Sequence, residues 1–116
     1  MIVYGIKNCG TVKKAITWLN EHNLEFEFHD YKKQSITASR LQEWSRQLGW
    51  EALINRKGMT WRKLDEVQKE QIKDQNTAIE ALLSNTSMIK RPIIEQDGKI
   101  VAVGFNEAEY ADKLQK

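Results

Sequence analysis

One cysteine, one proline, two histidines, a formal charge of only +2 and no apolar run long enough to cross a bilayer set the limits of this 116-residue chain. Each shortage removes a class of protein. A single thiol closes no internal disulfide and builds no cysteine-rich metal site, and it suits a reducing compartment. His22 and His29 lie in no arrangement of carboxylates or thiols with metal-ligand spacing, so no metal is expected. There is no phosphate-binding glycine loop. The net charge is too small to suggest nucleic acid on its own, and no nucleic-acid partner is expected. Met1-Ile2-Val3-Tyr4-Gly5 lacks the basic start, apolar stretch and small-residue cleavage site of a secretory leader. With no spanning segment either, the expectation is a cytoplasmic protein with no membrane partner.

What is present is an ordinary balance for a globular chain, 41% hydrophobic and 29% charged residues, suited to a single domain over residues 1–116. Met1 to Tyr4 is an apolar, β-branched run that predicts a central strand. Val12, Ala15, Ile16 and Leu19 then follow helical spacing, and the polar cluster from Asn20 to Asn23 ends that helix. Leu24 to His29 alternates apolar and polar, which predicts a strand parallel to the first in a βαβ unit.

Residues from about 33 to 87 carry no defensible strand. Thr37 is placed to cap a helix bearing Leu41, Trp44 and Leu48, with Gly49 as its stop. Trp50 to Ile54 and Thr60 to Leu64 read as short helical turns. Asp65 to Gln75 is polar, anchored only by Val67 and Ile72, and Thr77 to Ser84 predicts a helix with Ala78, Ile79, Leu82 and Leu83 inward. The four tryptophans, Trp18, Trp44, Trp50 and Trp61, sit among apolar residues and read as packing residues rather than a stacking platform.

Strand character returns at Pro92 to Glu95 and Ile100 to Val103, joined through Asp97-Gly98, a strong hairpin signal. Asn106 and Glu109 form a capping box for a last helix, with Phe105 and Tyr110 as its staple and Tyr110, Ala111 and Leu114 inward. The order β-α-β, helical interval, β-β-α predicts an α/β thioredoxin-like fold: a mixed four-stranded sheet, helices on both faces, and an all-helical insertion. Pro92 is either a trans edge residue or the cis-proline that such folds set opposite a redox cysteine.

Chemistry concentrates at Cys9. It follows a strand and a loop and immediately precedes a helix, where unpaired N–H groups and the positive end of the helix dipole favour a thiolate. The alternative is a buried structural cysteine, which polar or small Asn8, Gly10 and Thr11 argue against. Thr11 either donates a hydrogen bond to the sulfur or caps the helix. Lys7, Lys13 and Lys14 flank the thiol, either tuning it or forming a solvated face.

Tyr4-Gly5-Ile6-Lys7-Asn8-Cys9-Gly10-Thr11-Val12-Lys13-Lys14-Ala15, Leu48-Gly49-Trp50 through Leu53-Ile54-Asn55-Arg56-Lys57-Gly58, Thr60-Trp61-Arg62-Lys63-Leu64 and Ile89-Lys90-Arg91-Pro92 together resemble the arsenate-reductase-like (ArsC/Spx) family of thioredoxin-fold proteins. The likeness covers essentially the whole chain and is strongest to the YffB-type branch. It implies an oxidoreductase with Cys9 as nucleophile and with Arg56 and Arg91 turned toward the thiolate. Guanidinium groups there would lower the thiol pKa and grip an oxyanion or carboxylate through forked hydrogen bonds. Lys7, Asn8, Thr11 and Pro92 complete the expected substrate or glutathione site.

Three departures narrow the expectation. Val103-Gly104-Phe105 holds no arginine where glutaredoxin-coupled arsenate reductases carry one, and no histidine precedes Cys9. Val12 occupies the second position of the Cys-x-x-Cys switch found in Spx-type regulators. The expected activity is therefore a glutathione-dependent thiol reductase in which glutathione, as co-substrate, resolves a Cys9 adduct. The expected partners are glutathione, a small thiol, disulfide or oxyanion, and glutaredoxin, and the chain is expected to be a monomer. The alternatives are an Spx-like regulator that binds RNA polymerase and a true arsenate reductase coupled to glutathione and glutaredoxin.

Overall fold

The computed structural model describes residues 1–114. The chain forms two compact units, one from Met1–Gln34 together with the segment from Arg91 onward, the other from Ser35–Lys90.

In the first unit, strand β1 (Ile2–Gly5) leads through helix α1 (Gly10–Glu21) to strand β2 (Glu27–Asp30) and a one-turn helix α2 (Tyr31–Gln34). Strands β3 (Ile93–Gln96) and β4 (Lys99–Val103) and helix α7 (Glu107–Leu114) complete it. The sheet order is β2-β1-β3-β4. β1 runs parallel to β2 and antiparallel to β3, which runs antiparallel to β4. This is the mixed four-stranded sheet with helices of a thioredoxin-like fold.

Alternation along the strands divides the sheet residues between two faces. Val3, Ile94 and Ala102 form one core with Ala15, Trp18 and Leu19 of α1 and Tyr110 and Leu114 of α7. In that core Trp18 is buried and Ile16 only half-buried, so the inward stripe of α1 is Val12, Ala15, Trp18 and Leu19. The opposite alternation carries Tyr4, Ile93 and Glu95, all buried.

Local signals explain the element ends. Asn23, in left-handed conformation at φ 56°, closes α1: its N–H bonds to Asn20 O at 3.1 Å and that of Leu24 to Leu19 O at 3.0 Å. Asp97 and Gly98 both have positive φ, 53° and 79°, as the two-residue hairpin between β3 and β4 demands. Asn106 Oδ1 accepts the Glu109 N–H at 2.9 Å, and Phe105 meets Tyr110 edge-on at 5.1 Å, the staple expected at the start of α7. Ala111 is exposed, not inward. Strand β2 is shorter than its alternating pattern: Leu24 and Phe26 pack against the core without belonging to the strand.

The second unit is helical. Helix α3 (Ala38–Leu48) is capped by Thr37, whose hydroxyl accepts the Arg40 N–H at 3.1 Å, and Gly49 at φ 85° ends it. A 3-10 turn (Trp50–Leu53), helix α4 (Met59–Arg62), helix α5 (Glu66–Glu70), helix α6 (Gln75–Ser84) and a second 3-10 turn (Thr86–Met88) follow. Asp65 with Gln68 and Asp74 with Thr77 make capping boxes for α5 and α6. Leu41, Trp44, Leu53, Ile54, Ala78, Ile79, Leu82, Met88 and Ile89 are buried. Three residues expected inward are not: Leu48, Val67 and Leu83 are 38%, 63% and 37% exposed. Among the described residues, no helix is long and apolar enough to cross a membrane.

Candidate active site

Cys9 is the N-cap residue of α1. The turn Ile6-Lys7-Asn8-Cys9 is closed by the Cys9 N–H on Ile6 O at 3.2 Å, and Cys9 O accepts the Lys13 N–H at 3.0 Å to start the helix. Cys9 is half-buried, and its side chain closes no capping hydrogen bond. Its charged form is what the surroundings favour. Burial alone would push the thiol up, but the Val12 N–H, the Arg91 side chain as hydrogen-bond donor and positive charge, and the Thr11 N–H together hold it below its ordinary value.

Arg91 and Pro92 reach this site from the entry to β3. The Arg91–Pro92 bond is cis, Pro92 is buried, and its carbonyl accepts the Gly104 N–H at 2.8 Å. That bond ties the entry of β3 to the exit of β4. Gly5, at the end of β1, allows a close approach: a Cβ there would meet Val12 Cγ2 at 2.8 Å. Since Val12 is fully buried and supplies an N–H to the sulfur, Gly5 governs how closely the first turn of α1 seats against the sheet.

The expected site residues therefore divide. Cys9, Arg91, the backbone of Thr11 and the Arg91–Pro92 segment belong to one constellation. Thr11 neither caps α1 nor donates through its hydroxyl, which makes no hydrogen bond among the described residues; its contribution is its N–H. Lys7 and Asn8 are exposed in the turn before Cys9. Arg56 belongs to the Ser35–Lys90 unit, where Nη1 donates to Glu51 O at 3.3 Å and the guanidinium lies 5.4 Å from the Trp61 ring centre.

Sequence reasoning missed a buried polar group near the arginine. Tyr4 Oη donates to Glu95 Oε1 at 3.0 Å, and the Tyr4 and Tyr31 rings stack at 6.4 Å. Tyr31 is buried, and burial, then Tyr4, push its phenol well up; Arg91 pulls the other way and Glu95 adds to the rise. The available signal was Glu95 itself, a carboxylate two residues from Ile93 in an apolar strand and therefore on the face it shares with Tyr4.

A single cysteine at the N-cap of the helix that follows β1, with Arg91 favouring its thiolate, on a mixed four-stranded sheet, is the layout of a thioredoxin-like thiol protein. The ArsC family model matches residues 4–113, and the chain belongs to that family. It is 50% identical over 108 residues to a Haemophilus influenzae protein, covering 93% of each chain. It is 30% identical to the global transcriptional regulator Spx of Streptococcus pyogenes, covering 94% of this chain and 81% of that one. Among solved structures, the YffB protein is 48% identical with a TM-score of 0.89, covering 97% of both chains. An arsenate reductase (ArsC) related protein from Brucella melitensis is 43% identical with a TM-score of 0.78, covering 99% of this chain and 94% of that one.

Proposed function

We propose that the protein is a cytoplasmic, glutathione-dependent thiol reductase. The observation that carries this reading is the Cys9 sulfur held below its ordinary pKa by the Val12 and Thr11 N–H groups and by Arg91, in a chain with no second cysteine. The Cys9 thiolate attacks one sulfur of a disulfide; a Cys9–S–S–R bond forms as the old S–S bond breaks and R′S⁻ leaves. A glutathione thiolate then attacks the R sulfur of that bond, releasing Cys9 as thiolate and R–S–S–glutathione, and a second glutathione reduces that product to RSH and glutathione disulfide. Two glutathione thiols thus supply the two electrons. Arg91, Lys7 and Asn8 are the groups for the anionic partner, Arg91 through a forked grip. Turnover of bis(2-hydroxyethyl) disulfide with glutathione tests the reading: it should vanish in Cys9→Ser, and turnover surviving in that variant would refute it.

The Spx likeness supports a second reading, a regulator that binds RNA polymerase. Binding to the polymerase α C-terminal domain that persists in Cys9→Ser, without disulfide turnover in the parent, would favour it. Arsenate reduction, suggested by the family, is separated by comparing arsenate with small disulfides as substrates in the presence of glutathione and glutaredoxin.

A further inference from the structure

A cleft of about 490 Å³ opens between α1 and the junction of β4 with α7, a size within the roughly 300–1,000 Å³ of small-molecule sites. Lys13, Lys14, Trp18 and Glu21 form one wall, Phe105 and Glu107 the other. The apolar floor is braced by one residue: Tyr110 meets Trp18 edge-on at 5.4 Å and Phe105 at 5.1 Å.

The charges around the cleft are of both signs and do not neutralise one another. None of Lys13, Lys14, Glu21 and Glu107 forms an ion pair among the described residues. A cleft that faces solvent with two ammonium and two carboxylate groups over an aromatic floor is complementary to a zwitterion on a short aliphatic stem. The neighbouring cleft at Asn20 to Phe26, although larger at about 740 Å³, holds a single charged residue, Glu25.

Both walls lead back to the thiol. Lys13, four residues on from Cys9, lies on the same side of α1, one turn or roughly 6 Å of rise beyond it, and Glu21 continues the wall away from the thiol toward the end of the helix. The other wall begins at Gly104, whose N–H is bound to the carbonyl of Pro92, next to Arg91.

We propose that this cleft receives the charged amino-acid end of a glutathione-like thiol peptide whose sulfur reacts at Cys9. Lys13 and Lys14 take the carboxylate, Glu21 and Glu107 take the ammonium, and Trp18 with Phe105 cover the methylene stem. The proposal rests on the reductase reading and adds the recognition element that selects an aminoacyl thiol over a plain one.

The test is the rate at which Cys9 forms a mixed disulfide with glutathione disulfide relative to bis(2-hydroxyethyl) disulfide, which has no charged ends. Lys13→Glu combined with Lys14→Glu should lower this ratio at least about tenfold. Glu107→Lys is the sharper variant, because glutathione disulfide is a net anion at neutral pH. General attraction would make the added lysine raise the ratio, whereas loss of the ammonium partner makes it fall. A ratio that rises or stays level in Glu107→Lys overturns the cleft while leaving the reductase reading intact. Failure of both disulfides to react would count against the reductase reading; the cleft is then read by NMR titration of Cys9→Ser with S-methylglutathione. Amide shifts centred on Thr17, Glu21 and Glu107 support it, and shifts elsewhere or none overturn it.

Discussion

The Arg91 guanidinium favours the Cys9 thiolate, as a donor and as a positive charge, and helps hold its pKa below the ordinary value. The residue just before the cis-proline and the N-cap of α1, 82 positions apart in sequence, thus form one electrostatic unit. The first consequence concerns pH. Alkylation of Cys9 by iodoacetamide should reach half its plateau below the ~8.5 of a free thiol. In Arg91→Gln the midpoint moves up. Arg91→Lys lies between the two, since it keeps the charge without the fork. An Arg91→Gln profile identical to the parent's would remove Arg91 from the site.

The same depressed value has a stability counterpart. The native state favours the Cys9 thiolate, so its contribution is present above the ordinary thiol pKa and is lost as pH falls through the lowered folded value. Urea melts of the parent and Cys9→Ser should therefore diverge toward alkaline pH, with the parent gaining. Equal pH dependence in both proteins would contradict the stabilised thiolate.

Tyr31 acts in the opposite sense. Its phenol is held neutral by burial, with its pKa pushed well up, so its contribution is intact below the ordinary value near 10 and falls away as pH rises beyond it. Tyr31→Phe should blunt the alkaline loss of stability, read by circular dichroism above about pH 10. An unchanged alkaline limb would show that the phenol is not the titrating group.

Gly5→Ala should cost about 1–3 kcal/mol, since the new methyl group overpacks a β-branched, fully buried side chain. The contact is with Val12 Cγ2 at 2.8 Å. Because the Val12 N–H faces the sulfur, the alkylation midpoint should rise with the loss of stability. A stability loss without that rise would uncouple the packing from the thiol.

Tyr4→Phe removes the donor 3.0 Å from buried Glu95. A buried hydrogen bond to a carboxylate contributes about 1.5–3 kcal/mol, and chemical denaturation should register a loss of that order. No measurable loss would mean that Glu95 is satisfied without Tyr4.

Much of the fold was legible because its signals are local. Asp97-Gly98 carries the hairpin in its own backbone preferences, Asn106 with Glu109 marks a helix start, and Val12, Ala15 and Leu19 name the buried stripe of α1. Helix α5 was not legible by periodicity, because Asp65 to Gln75 has too few apolar residues; its signal was the Asp65-to-Gln68 capping spacing. Leu48 and Leu83 fall on helical stripes yet stay exposed, since periodicity says which way a side chain faces and not how far the neighbouring packing extends. At the site, Cys9 was visible from its place before a helix. Arg91 was visible only through family resemblance, because its approach depends on how the chain enters β3. The Tyr4–Glu95 bond spans 91 positions and follows only once the β1–β3 register is known.

The most direct measurement isolates the Cys9–glutathione mixed disulfide by intact-protein mass spectrometry after treatment with glutathione disulfide, then adds reduced glutathione. The account predicts one glutathione per chain, absent in Cys9→Ser, and its complete release as glutathione disulfide with return of the free thiol. No adduct, or an adduct that reduced glutathione leaves in place, would contradict it.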